Sequence, residues 1–227
     1  MPMNILGISG SPIKDGNVEA FLKRILDSVS SNPEVSIDRV SLAKIKIEDC
    51  KHCNYCIKNQ TKGNYCAVKD DAQPVLEKVE SSDILVLATP VYFMRTSARM
   101  AAFIDRLRLF VFGNLTKGRL RNKIGVSAAV SWARHGGLET THLTHIMAFL
   151  ALEMIPVSVH EAPSILGASA VSSPHGSGIF DKDVWIGIEK DEVGLRSAGE
   201  IMNRALQLAI LIKGGGGDKR KNILENR

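Results

Sequence analysis

Two apolar runs carry no polar face at all. They are Ile5-Leu6-Gly7-Ile8 and Ile84-Leu85-Val86-Leu87-Ala88. Strands buried on both sides of a parallel sheet read this way. The first predicts a strand over 3–9 and the second a central strand. Val35 to Leu42 alternates imperfectly and predicts an edge strand. Lys123 to Val130 and Ile155–Val159 supply the fourth and fifth strands. Between them the apolar period is helical. Phe21, Leu22, Ile25 and Val29 mark a helix over roughly 17–30. Further helices are expected over 71–81 (capped by Asp70-Asp71, with Pro74 in the first turn), 97–112, 138–151 and 191–212. Residues 161–190 read as irregular, rich in Gly, Ser and Pro.

Strand and helix alternate, which gives an α/β fold with a parallel sheet and right-handed crossovers. Five strands and five helices suit a flavodoxin-like three-layer sandwich with a five-stranded parallel sheet, order 2-1-3-4-5. A ligand then sits beyond the C-terminal ends of the strands, where three loops meet: 9–17, 89–96 and 131–137. These are also the stretches most marked by glycine, serine and aromatic residues. One domain over 1–212 is expected, with a cysteine-rich insertion at 48–70. Residues 213–227, which contain Gly214 to Gly217 and then a charged run, read as a linker and tail.

The first loop, Ser9-Gly10-Ser11-Pro12-Ile13-Lys14-Asp15-Gly16-Asn17, leads from a strand into a helix N-terminus. Such a junction offers unpaired backbone N–H groups and partial positive charge to a phosphate. It is neither G-x-G-x-x-G nor a P-loop, and a Ser-rich loop suits a phosphate monoester such as that of FMN. An ordinary capped strand-to-helix turn has the same pattern. The second loop, Pro90-Val91-Tyr92-Phe93-Met94, supplies flat apolar groups and backbone amides suited to a flavin ring, or simply packs at a strand end. The third, Arg134-His135-Gly136-Gly137, precedes a helix whose Glu139, Thr140 and Thr141 are ordinary first-turn residues.

Composition narrows the partners. The charge of +5 is spread along the chain, and only 117–123 is densely basic. Aromatic residues make up 5% and do not interleave with the basic ones, so no nucleic-acid partner is expected. No run approaches a membrane span and no secretory signal pattern opens the chain, so a cytoplasmic protein without a membrane partner is expected. His142 and His145 share a helix face without a carboxylate constellation and read as surface residues. His52 reads as solvent-facing, and His160-Glu161 end the fifth strand near the site.

All four cysteines fall between positions 50 and 66: Cys50, Cys53, Cys56 and Cys66. In a reducing compartment this clustering points to a metal centre rather than disulfides. The x2, x2 run matches ferredoxin-type 4Fe–4S ligation. Zinc and unligated thiols are the alternatives. Nine residues precede Cys66, so it is the least secure ligand.

Four pieces together carry a family resemblance. They are Gly10-Ser11-Pro12 with Gly16-Asn17, the cysteine run ending at Cys66 with Asp70-Asp71, Thr89–Phe93 with Ile104-Asp105-Arg106, and Arg134–Thr141. Over about 3–212 the chain resembles the NAD(P)H-dependent FMN reductases of flavodoxin-like fold, and especially the archaeal and anaerobe iron–sulfur flavoproteins. The resemblance implies a cofactor site of Ser9, Ser11, Pro12, Lys14, Asn17 and Val18 around the FMN phosphate. It implies Pro90, Val91, Tyr92, Phe93, Met94, Arg134, His135, Gly136 and Gly137 around the ring. It implies a 4Fe–4S cluster on Cys50, Cys53, Cys56 and Cys66, and a homodimer or homotetramer. Val18 departs from the Thr frequent in the family. The expected function is electron transfer between cluster and FMN and on to oxygen, peroxide or a quinone, fed by a ferredoxin-like donor or NAD(P)H. No catalytic acid or base is evident. The alternatives are a cluster-free NAD(P)H-dependent FMN or quinone reductase and a flavodoxin-like electron carrier.

Overall fold

β1 (Met3–Ser9) and β3 (Ile84–Tyr92) lie side by side and bury both their faces. Ile5, Val86 and Val126 pack toward α1 (Asn17–Asp27) and α7 (Glu192–Gly214). Leu6, Ile8, Leu85 and Leu87 pack toward α3 (Ala72–Ser81) and α4 (Ala98–Arg106). Two apolar clusters on opposite faces of one sheet explain why these strands have no polar face. The computed structural model describes residues 2–160 and 165–214.

The sheet runs β2 (Val35–Ser41), β1, β3, β5 (Ile124–Ser131), β6 (Ile155–Pro156), all parallel. This is the expected flavodoxin-like order. Among the described residues seven strands make the sheet, however, not five. β4 (Arg95–Thr96) folds back antiparallel on β3. The fifth position is shared. β6 stops at Pro156, one last bond from the Val157 N–H to the Gly125 carbonyl at 2.9 Å closing its ladder with β5. β7 (Ala168–Val171), inside the stretch read as irregular, then pairs with Ala128–Ser131.

Other boundaries shift for local reasons. The helix expected over 97–112 divides into α4 and α5 (Leu109–Phe112), because the N–H groups of Leu107 and Arg108 bond three residues back, to Ile104 and Asp105. α6 (Leu138–Ala151) lies close to β5 because Gly125 has no side chain, and a Cβ there would meet the Phe149 ring at 2.5 Å. α7 continues through Lys213, whose ammonium reaches Asp83 at 2.8 Å, so the expected linker does not begin at 213. The tail from 215 on, like Glu161, lies outside the described residues. Among the described residues no helix is long and apolar enough to cross a membrane.

The cysteine insertion is closed by a buried ion pair. Asp70 and Arg106 are each 1% exposed, 2.5 Å apart. Asp70 also accepts the N–H of Glu48 at 2.9 Å and of Ala72 at 3.0 Å, and Arg106 donates to the Glu48 carbonyl at 3.0 Å. Both ends of the insertion are thereby fixed to α4. Burial pushes the Asp70 carboxyl up, but the Arg106 guanidinium and the two backbone N–H groups outweigh it and hold the group below its ordinary range. Asp70→Asn leaves a buried guanidinium unpaired and is expected to cost about 3–5 kcal/mol in urea unfolding. Asp71→Asn, at an exposed acceptor of the Lys46 N–H, serves as the control and should cost about 1 kcal/mol or less.

Candidate functional site

The first loop braces itself. The Ser11 hydroxyl accepts the Ile13 N–H at 3.0 Å, and Ser9 accepts that of Ser11 at 3.4 Å. Asp15 sits at φ 53°, its N–H donated at 2.9 Å to Glu19, a buried carboxylate the sequence pattern did not single out. α1 then starts from Gly16 with no side-chain cap, so its first-turn N–H groups keep their anion-binding character. Asn17 is engaged elsewhere: its amide donates to the Trp185 carbonyl at 3.2 Å and accepts the Ile188 N–H at 3.1 Å. Lys14 is exposed, 3.6 Å from Asp15.

The second loop is a two-residue hairpin turn between β3 and β4. Phe93 (φ 47°) and Met94 (φ 64°) both have left-handed backbones, as a turn of this length demands. Neither is glycine, so the turn is strained. Phe93 is 99% exposed. The third loop supports this hairpin from behind. Gly137 (φ 99°) packs so closely that a Cβ would lie 2.5 Å from Met94 Cα, and the Thr140 hydroxyl donates to the Met94 carbonyl.

A cavity of about 310 Å³ opens between these elements. Its lining takes Ser11, Asn17 and Val18 from the first loop and Pro90, Val91 and Tyr92 from the second. The third wall is not the one expected. Trp132 and the segment around Ser173, Phe180 and Trp185 form it, whereas Arg134–Gly137 do not line the cavity. Arg134 instead donates to the His175 carbonyl at 2.8 Å, and its N–H to that of Gly176 at 2.8 Å, pinning the segment that leads to Trp185. Ser9 is fully buried beneath the loop, and Pro12, Lys14, Phe93 and Met94 lie outside the lining. The aromatic character of 180–185 was the available sequence signal for the missed wall.

His142 and His145 are not surface residues. Both are fully buried, facing Ser127 on β5. Burial lowers His142 to about 4, and burial with the neighbouring His142 lowers His145 to about 3. His52 is solvent-facing as expected. His160 is exposed beyond the end of β6 and lines a separate cavity with Glu200 and Arg204.

Among the described residues the four cysteines form no disulfide. Cys56 is buried at α2 (Tyr55–Lys58), Cys50 and Cys66 are half-buried and Cys53 is exposed. Arg108 donates to Cys56 Sγ at 3.6 Å and to Asn54 at 3.0 Å. Burial pushes the Cys56 thiol up, Arg108 opposes this, and nearby Cys66 and Cys50 add to the rise. In number and kind the donors suit a thiolate-ligated centre. Among the described residues, no three His, Cys, Asp or Glu side chains are gathered closely enough to hold a metal ion.

The family model for NADPH-dependent FMN reductases matches residues 3–164. An iron–sulfur flavoprotein of Archaeoglobus fulgidus is 31% identical over 91% of this chain and 96% of its own length. One of Methanocaldococcus jannaschii is 34% identical over 89% and 94%. This chain belongs to the NADPH-dependent FMN reductase family, among the iron–sulfur flavoproteins. Solved structures agree on the fold. RosB with bound 8-demethyl-8-formylriboflavin-5'-phosphate superposes with a TM-score of 0.70 at 16% identity, over 93% of this chain and 81% of RosB. A WrbA-like flavodoxin from Agrobacterium tumefaciens gives 0.57 at 13% identity, over 90% and 98%.

Two outcomes follow from the geometry. Gly137→Ala puts a Cβ against the Met94 backbone and is expected to lower unfolding stability by about 1–3 kcal/mol or more. Gly118→Ala, at φ 73° with open space around it, should cost about 1 kcal/mol. Stability should also fall with acid before the carboxylates titrate. Unfolded, each imidazole takes its proton near 6.5; folded, only near 4 and 3. Below pH 6.5 the unfolded chain therefore binds more protons, and a loss on the order of several kcal/mol accumulates toward pH 4. Urea midpoints against pH check this, and the slope should flatten in a His142→Gln/His145→Gln variant.

Proposed function

We propose that this chain is a redox flavoprotein that binds FMN in the 310 Å³ cavity and exchanges electrons with a 4Fe–4S cluster on Cys50, Cys53, Cys56 and Cys66. The observation that carries the flavin assignment is the cavity's position. It joins the uncapped start of α1 to the apolar end of β3 at the C-terminal edge of the sheet. Bound FMN would accept electrons singly or in pairs, which lets a one-electron donor serve a two-electron acceptor such as oxygen, peroxide or a quinone.

The chain's residues position rather than react. The α1 N-terminus and the Ser11 loop meet the phosphate, with Pro12 and Lys14 at its rim and Ser9 supporting it from below. Pro90–Tyr92 flank the ring, held in shape by Phe93, Met94 and the Arg134–Gly137 turn. Trp132, Phe180 and Trp185 form the third, aromatic wall. Arg108 places positive charge at Cys56. Names of the relatives and the donor chemistry support the cluster, fed by a ferredoxin-like donor or NAD(P)H. Leu143, Met147 and Leu150, exposed on one face of α6, support a homodimer or homotetramer.

One observation favours a second reading, an NAD(P)H-dependent FMN or quinone reductase without a cluster: among the described residues no three donor side chains lie closely enough to hold a metal ion. Anaerobic purification with flavin, iron and sulfide analysis separates the two. The cluster reading expects one FMN with about four iron and four sulfide per chain, and a Cys53→Ala variant that loses iron but keeps FMN. FMN without iron, with prompt NAD(P)H oxidation, establishes the reductase instead. Protein that binds no flavin overturns both.

A further inference from the structure

The buried histidines belong to one continuous chain of hydrogen bonds. The Ser127 hydroxyl lies 2.8 Å from His142 Nδ1 and 2.9 Å from His145 Nδ1. His142 Nε2 is 2.8 Å from Ser169 Oγ on β7. His145 Nε2 is 3.2 Å from Thr96 Oγ1 on β4. Thr96 Oγ1 is 3.2 Å from Thr89 Oγ1, which lies 3.1 Å from the Pro90 carbonyl. Ser127, Thr96 and Thr89 are, like the histidines, almost wholly buried.

One placement of hydrogens satisfies every member. The Pro90 carbonyl only accepts, so the Thr89 hydroxyl donates to it. Thr89 then accepts from Thr96, and Thr96 from His145 Nε2–H. His145 Nδ1 is therefore bare and accepts from Ser127. Ser127 accepts from His142 Nδ1–H, and His142 Nε2 accepts from Ser169. The reverse order leaves the Pro90 carbonyl without this donor. Both rings stay neutral, as each must to accept on one nitrogen and donate from the other.

The chain ends on the strained hairpin. Thr89 and Thr96 flank Pro90–Arg95, the segment that forms one cavity wall and contains two left-handed non-glycine residues. Such backbone persists only where its surroundings over-determine it. Thr89 also accepts the Ser97 N–H at 3.0 Å, and the Ser97 hydroxyl donates to the Gly10 carbonyl at 2.6 Å, so the same tether reaches the first loop. At the far end the Ser169 N–H is donated to Ser197 on α7 at 3.1 Å. The chain is no proton path to the cavity, because it terminates at a backbone carbonyl.

We propose that His145, oriented by Ser127 and His142, is a positioning residue that holds the Thr89–Thr96 hairpin in the shape the flavin ring requires. The proposal rests on the FMN assignment above. Its role is to act through Thr96, without touching the flavin.

The test compares wild type, His145→Phe and His145→Gln. Phenylalanine fills the space without hydrogen bonds, whereas glutamine keeps one donor and one acceptor. FMN dissociation constants come from fluorescence quenching, flavin midpoint potentials from anaerobic dye-linked titration, and melting temperatures from the apo forms. His145→Phe is expected to weaken FMN binding by about tenfold and to shift the flavin potential, with both largely restored in His145→Gln. If His145→Phe does not fold, Thr96→Val, which keeps shape and removes the hydroxyl, should give the same two changes. The proposal is overturned if the folded variants bind FMN with wild-type affinity and potential, or if only the melting temperature moves. Wild-type protein that fails to bind FMN sinks the flavin assignment itself. Wild-type binding with indifferent variants sinks the relay alone.

Discussion

Two consecutive left-handed residues with side chains, Phe93 and Met94, impose a constraint on much of the domain. Each costs on the order of 1–2 kcal/mol relative to ordinary backbone. The surroundings must supply that energy by contacts available only in this conformation. Gly137 makes room for the Met94 backbone, Thr140 donates to its carbonyl, and Thr89, Thr96 and His145 hold the hairpin's base. These residues come from β3, β4, α6 and the residue that caps it, so the shape of the turn depends on the packing of the sheet against α6. The cavity wall is therefore a product of tertiary structure, which suits a site that must be rigid before its ligand arrives.

α4 connects this wall to the cysteine segment. Its cap, Ser97, accepts the Met100 N–H and donates to Gly10 in the first loop. Its last residue, Arg106, holds Asp70 at the end of the insertion. A helix of this length spans about 14 Å, and it ties the first loop at one end to the Asp70 carboxylate of the cysteine segment at the other. Beyond it, Arg108 continues onto Cys56. Replacing the Arg106–Asp70 pair with apolar residues of similar volume need not destabilise the fold. It would remove the directional bonds to Glu48 and Ala72 that fix where the insertion leaves and re-enters the domain.

The architecture was legible because it follows from burial. Strands with two covered faces have no polar period, and Ile5–Ile8 and Ile84–Ala88 show it directly. The first two loops of the site were also legible, since strand ends and helix starts are local signals. The third wall was not. β7 has four residues, Ala-Ser-Ala-Val, too short and too mixed to stand out among the Gly and Ser of its surroundings. The segment around Trp185 is placed by distant partners, Asn17 among them. The divided 97–112 helix has no proline or glycine at its break and gave no warning.

α6 shows why hydrophobic pattern misled at the histidines. Its buried face carries Thr141, His142, His145 and Phe149, while Leu143, Met147 and Leu150 point outward. Periodicity assigns the apolar stripe to the core, and here the reverse holds. Two imidazoles are tolerable inside because they are neutral and each ring nitrogen has a partner, so no charge is desolvated. Leucines at 142 and 145 would fill the space at no desolvation cost. Apolar contact is not directional, however, and leaves the Thr96 hydroxyl without its partner. A hydrogen-bonded chain fixes the orientation of every member up to the Pro90 carbonyl. The polar core is thus best understood as a device for geometry, set where the strained wall of the cavity needs it.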